Sequence, residues 1–94
     1  MKYTINGKEY SELDINKRCA DLMEVTVLIV LRDYNPCNNP ADTWPIIEKC
    51  WGELMSVKFE YCALPRWQYL RHEHKCTKLV AACICFIALK EQGE

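Results

Sequence analysis

The segment of residues 66–72, Arg-Trp-Gln-Tyr-Leu-Arg-His, has the side-chain types that bind nucleotides. If it forms a strand, alternation places Trp67, Tyr69 and Arg71 on one face and Arg66 on the other. Two aromatic rings can stack on a base, and a guanidinium can pair with a phosphate. The alternative is that both rings belong to the core under a helix, with Arg71 at its rim.

A possible metal site follows directly. On a strand, His72, His74 and Cys76 would share one face, and all three side-chain types bind zinc. The spacing matches no established zinc module, and a fourth ligand would have to come from elsewhere in the chain. We therefore expect solvated basic residues before a helix, and neither a metal nor another cofactor.

Two cysteines are candidate nucleophiles. Cys76 lies beside Lys75 near a helix start, and Cys37 lies in an asparagine-rich loop; either position can favour a thiolate. Nucleophilic catalysis also needs a base held by a third group, and the sequence shows none near either thiol. The sequence therefore predicts a protein that is not an enzyme.

Seven cysteines are many for 94 residues, but their number is odd and no CxxC spacing occurs. The N-terminus lacks the apolar segment of a signal peptide. We expect reduced thiols that pack as small core groups in a cytosol. The cysteines are Cys19, Cys37, Cys50, Cys62, Cys76, Cys83 and Cys85.

Residues 38–47, Asn-Asn-Pro-Ala-Asp-Thr-Trp-Pro-Ile-Ile, predict a helix start in a loop of fixed shape. Asn39 suits the N-cap, Pro40 the first helical position, and Asp42 the first turn. Pro45 predicts a kink, with a second start at residue 44 or 45.

Two further features of this region have alternative explanations. Asn38 and Asn39 are either capping and turn residues or donors to a ligand. Trp44 and Trp51 are seven residues apart and share a helical face. We expect this face to lie in the core, and the alternative is a platform for a ligand.

The elements that position these residues predict one α+β domain covering residues 1–94. Asn6-Gly7 predicts a hairpin over residues 3–10, and Ser11 with Asp14 resembles a capping box that begins a helix to about residue 23. Strands are predicted at residues 24–32, 56–63 and 66–72. The last helix begins at Thr77 and buries the apolar run of residues 79–89, which is too short to span a membrane. About three helices would then pack on a small, mostly antiparallel sheet, like an α/β/α sandwich.

Three segments carry a resemblance to a known family: Tyr-Ser-Glu-Leu at residues 10–13, Ile-Asn-Lys-Arg at 15–18, and Pro-Cys-Asn-Asn-Pro-Ala-Asp-Thr-Trp-Pro-Ile-Ile at 36–47. They resemble the NinX-like family of small bacteriophage proteins and, more loosely, the phage domains called ABA sandwiches. The match covers about residues 10 to 50 well. Family members often have a small residue two positions after the tryptophan that corresponds to Trp67, whereas this chain has Tyr69 there. The resemblance implies a phage origin and an α/β sandwich, and it implies no particular activity.

The net charge and the resemblance together indicate what kind of partner the protein binds. A net charge of −1 gives no overall attraction to nucleic acid or an anionic membrane, so neither is expected. The sequence and the phage resemblance together favour a non-enzymatic accessory protein in the cytoplasm of the infected bacterium. It would act in counter-defence, by sequestering a small nucleotide-like anion or by blocking a host protein. The alternative is an interaction module that modulates host replication, transcription or recombination, and a second copy of the chain is a further possible partner.

Overall fold

A computed structural model describes residues 2–24, 34–56 and 65–92. Two strands are predicted at residues 24–32 and 56–63, and all but the first residue of each lies outside these ranges. The described ranges contain two antiparallel strands and five helices, so the predicted α+β class is confirmed, with more helices than the three expected.

The N-terminal hairpin is confirmed. β1 (Lys2–Ile5) pairs antiparallel with β2 (Lys8–Ser11), with Tyr3 opposite Tyr10. The turn places Asn6 at φ 50° and Gly7 at φ 85°. Two successive positive φ angles match the twist of the flanking strands, and asparagine and glycine adopt them at low cost.

The first helix, α1 (Glu12–Leu22), begins as predicted. The Ser11 side chain accepts a hydrogen bond from the Asp14 backbone N–H at 3.1 Å, and the Asp14 carboxylate accepts one from the Ser11 N–H at 3.1 Å. This capping box satisfies two backbone donors. Ile15 and Cys19 are fully buried on one face of the helix.

The second helix, α2 (Pro40–Lys49), confirms the predicted N-cap and first turn. The Asn39 side chain accepts a hydrogen bond from the Ala41 N–H at 3.0 Å, and Pro40 occupies the first position. The predicted second start is wrong, because one helix continues through Pro45. A single-turn helix, α3 (Trp51–Leu54), follows after Cys50.

The predicted strand at residues 66–72 is wrong, because α4 (Arg66–His74) is a helix. Pro65 precedes its first residue, and no residue of the segment is β-branched, so little in its composition favours a strand. Lys75 ends the helix in the left-handed conformation, with φ 52°. Leu70 is buried, and Trp67 packs against the core.

The core surrounds the last helix, α5 (Lys78–Gln92). Thr77 precedes it as predicted, and its hydroxyl accepts a hydrogen bond from the Val80 N–H at 3.3 Å. Eight consecutive residues from Val80 to Ile87 are buried, because α5 contacts α1, α2, α3, α4 and β1. The prediction of a buried terminal helix is confirmed. No helix in the described ranges is long and apolar enough to cross a membrane.

Candidate functional site

The asparagine-rich loop before α2 is held by side chains of α1. Asn16 donates to Asn35 Oδ1 at 3.0 Å, and its own Oδ1 accepts from the Cys37 N–H at 3.1 Å. Asn38 donates to Glu12 Oε1 at 3.1 Å. The side-chain amides of Asn38 and Asn39 therefore both bind other groups of the protein. This supports their role as turn and capping residues rather than as donors to a ligand.

Arg66 does not lie free to hold a phosphate. Its Nη1 pairs with Glu53 Oε1 at 3.1 Å, and its backbone N–H donates to the Ser56 carbonyl at 2.8 Å. The ion pair ties the start of α4 to α3, and both side chains are largely shielded from water. We infer that Arg66 is a structural residue.

The helical conformation of α4 changes which residues share a face. Trp67 and Arg71 are four residues apart and lie on neighbouring turns, whereas Tyr69 is rotated by about 200° from Trp67. The predicted single face of Trp67, Tyr69 and Arg71 is therefore wrong. The Trp67 indole N–H donates to the Lys78 carbonyl at 2.8 Å, which fixes the ring against the start of α5.

The shared face that a strand would give His72, His74 and Cys76 does not form, because His72 and His74 lie in the helix α4. His72 is exposed on α4, whereas His74 packs edge-to-face against Tyr3 with ring centroids 6.3 Å apart. Cys76 follows the left-handed Lys75 and turns back towards Leu70. Within the described ranges, no group of three histidine, cysteine or acidic side chains is arranged to hold a metal ion.

The two candidate nucleophiles are in environments that disfavour a thiolate. A hydrogen bond with Cys83 and burial raise the pKa of the Cys37 thiol. Burial raises the pKa of the Cys76 thiol, and the Arg71 charge opposes this effect only in part. Both thiols are therefore protonated at neutral pH, the opposite of what a cysteine nucleophile requires.

The most unusual surface of the described residues is aromatic. Trp44 is 55% exposed, Trp51 48% and Met55 44%, although the sequence predicted both tryptophans in the core. Trp67 lies beside Trp51, with the two ring centroids 6.4 Å apart in an edge-to-face arrangement. We call Trp44, Trp51, Met55 and Trp67 the tryptophan surface.

Two open grooves run over the tryptophan surface and share Trp51. The first groove, of about 410 Å³, is lined by Trp44, Glu48 and Trp51. The second groove has a volume of about 260 Å³. Its lining residues are Trp51, Met55, Pro65, Trp67, Gln68 and Lys78. Among the described residues, each groove therefore has aromatic walls and one charged side chain, Glu48 in the first and Lys78 in the second.

The sequence placed Trp44 and Trp51 on one helical face but favoured the core for that face, so their exposure corrects the prediction. At 100° per residue, Trp44, Glu48, Trp51 and Met55 form one helical stripe. A second stripe, about 100° away, carries most of the buried residues. Its members are Thr43, Ile47, Cys50 and Leu54, and the buried Ile46 lies beyond it. Because this stripe and Ile46 supply the core contacts, the tryptophans remain on the outside.

The chain was compared with protein-family models, curated proteins and solved structures. No match was found.

Proposed function

We propose that this protein is a non-enzymatic binding protein whose tryptophan surface binds another protein. By the resemblance of residues 10–50, it is a bacteriophage accessory protein that acts in the cytoplasm of the infected bacterium. There it blocks or modulates a host protein. The observation that carries the proposal is the exposure of Trp44, Trp51 and Met55 around two adjoining grooves.

The energetics of apolar burial favour a partner on this surface. A small soluble domain gains nothing from presenting large apolar side chains to water, and burial recovers about 25 cal/mol for each Å². Clustered exposed apolar groups mark interaction sites, and tryptophan is enriched among the residues that contribute most to binding. The edge-to-face contact between Trp51 and Trp67 holds these rings in place before binding, which reduces the entropy lost in the complex.

A nucleotide-like anion is the second candidate ligand, and fewer features support it. It would need cations and free backbone donors beside the aromatic rings. Lys78 supplies a cation in the second groove, but Arg66 pairs with Glu53 and Asn39 caps its own helix. Glu48 places a negative charge in the first groove. Arg71 remains the cation with which to test this ligand, because it lies one turn after Trp67 on α4.

The experiment is affinity capture from a bacterial lysate followed by reconstitution. Tagged wild-type protein, Trp44→Ala, Trp51→Ala and Leu13→Ala are compared. Leu13 is the matched control, since it is 59% exposed but lies on α1, outside the tryptophan surface. We expect one host protein to bind wild type and Leu13→Ala, and to be lost with both tryptophan variants.

Purified components then decide between the two ligand classes. Calorimetry with the captured protein should give a complex that Trp51→Ala weakens by at least about tenfold, the scale of a dominant interface residue. Calorimetry with linear and cyclic nucleotides should give no heat. Nucleotide binding that Arg71→Ala abolishes, with no captured partner, would instead establish the small-ligand function.

A further inference from the structure

The chemistry of the two grooves indicates what kind of partner segment they accept. Within the described ranges, the Trp67 indole N–H is bonded to the Lys78 carbonyl, whereas the indole N–H groups of Trp44 and Trp51 have no acceptor. The indole N–H is a donor only. An occupant that fits this surface therefore brings carbonyl oxygens as well as apolar groups.

An extended proline-rich segment supplies both carbonyl oxygens and apolar groups. Polyproline II backbone has no internal hydrogen bonds, so its carbonyls are available to the two indoles. A helical segment uses most of its carbonyls internally, so only its side chains could pair with these donors. Proline rings pack against aromatic walls, and the segment loses little entropy because its conformation is already formed.

The charges in the two grooves give the segment a polarity. Glu48 lies in the first groove, Lys78 in the second, and neither forms an ion pair with another described residue. Each opposes the dipole of its own helix, since Glu48 lies in the last turn of α2 and Lys78 is the first residue of α5. Charges in such positions do not stabilise the helices, and they remain available to a charged partner.

We propose that the tryptophan surface binds an extended proline-rich segment of its partner. Prolines occupy the two grooves on either side of Trp51, a basic residue pairs with Glu48, and an acidic residue pairs with Lys78. This inference rests on the proposed protein-binding function and adds the class of segment that is recognised.

Synthetic peptides test the inference directly. The probes are ten-residue proline-rich peptides with arginine at one end and glutamate at the other, made in both orders. Controls have every proline replaced by alanine, or have an amphipathic helical sequence of the same net charge. Calorimetry with wild-type protein should show binding of one proline-rich peptide and at least about tenfold weaker binding of its alanine counterpart.

Protein variants locate the binding. Trp51→Ala removes the wall shared by the two grooves and should abolish binding, whereas Leu13→Ala should leave it unchanged. Trp51→Phe retains an aromatic ring without the indole donor and should weaken binding by a smaller factor. Circular dichroism and a denaturant midpoint for each variant separate lost binding from lost folding.

A double charge reversal tests the polarity. Glu48→Lys combined with Lys78→Glu should reverse the preference between the two peptide orders. Glu73→Lys, at an exposed position of α4, should leave the preference unchanged. Three results overturn the inference: no proline-rich peptide binds, the helical peptide binds more tightly, or Trp51→Ala has no effect. If a captured host protein still depends on Trp51 in any of these cases, the proposed protein-binding function stands and only the class of segment is wrong.

Discussion

Glu48 and Lys78 are the residues in which the proposed function and local stability conflict. Glu48 lies near the carbonyl end of α2, and Lys78 lies at the N–H end of α5. The helix dipole favours the opposite charge at each position. The other charged residues at the ends of α2 have the sign that the dipole favours. Asp42 lies in its first turn and Lys49 in its last turn.

Reversing either charge should therefore stabilise the protein. We expect Glu48→Lys and Lys78→Glu each to raise the free energy of unfolding by about 0.3–1 kcal/mol in low salt, and less in high salt. Urea titrations at two ionic strengths measure the effect. A fall in stability for both variants would show that the two charges have stabilising partners within the protein.

Asn39 illustrates a residue whose role is structural. Its side chain accepts the Ala41 N–H at 3.0 Å, and this is one of the donors that every helix start leaves unpaired. Asn39→Ala should lower the free energy of unfolding by about 0.5–2 kcal/mol, whereas Asn39→Asp should retain the cap. Denaturant midpoints provide the comparison, and equal midpoints for all three proteins would contradict the assignment.

At the scale of elements, local signals were sufficient for some parts of the fold. Asn6-Gly7 is a strong turn signal, Ser11 and Asp14 form a complete capping box, and Asn39-Pro40 determines a helix start without distant contacts. The hairpin, α1 and the start of α2 were therefore predicted from the sequence with nearly the observed boundaries.

The helix α4 was mispredicted because two signals conflict within nine residues. Aromatic rings at positions 67 and 69 imitate the two-residue period of a strand, while the composition allows a helix. Tertiary contacts favour the helix, since Leu70 is buried and the Trp67 indole bonds the Lys78 carbonyl eleven residues away. The exposure of Trp44 and Trp51 was mispredicted for a related reason, because sequence alone did not indicate which stripe of α2 and α3 the core would cover.

The end of α4 offers a test of its conformation. Lys75 has φ 52° and ψ 49°, a left-handed geometry that costs a non-glycine residue about 1 kcal/mol. Lys75→Gly should raise the free energy of unfolding by up to about 1 kcal/mol. Glu73→Gly, inside the same helix, should lower it by about as much. Equal losses for both glycine variants would be incompatible with a helix that ends at residue 75.

At the scale of the whole molecule, the thiols are part of the core that surrounds α5. Cys19, Cys83 and Cys85 have no exposed surface, and Cys37 and Cys50 have almost none. The prediction of buried cysteines is confirmed for these five residues, whereas Cys76 is only partly buried and Cys62 lies outside the described residues. Their contribution to stability comes from packing, as for other small apolar side chains.

Stability should therefore not depend on oxidation or on a bound metal. We expect dithiothreitol and EDTA to leave the thermal midpoint within about two degrees of its value in plain buffer, because the six described cysteines are free thiols and no group of described side chains is arranged to hold a metal ion. Scanning calorimetry with and without each reagent measures this. A midpoint lowered by tens of degrees would reveal a crosslink or an ion that holds the chain together.

The affinity of a purified host partner for wild-type protein, Trp51→Ala and Leu13→Ala tests the central claim most directly. Trp51 is the residue common to both grooves, and Leu13 is an apolar residue on α1 that is somewhat more exposed. Calorimetry should show at least about tenfold weaker binding for Trp51→Ala and unchanged binding for Leu13→Ala, with all three proteins folded. Equal affinity for Trp51→Ala and wild type would contradict the claim that the tryptophan surface is the binding site.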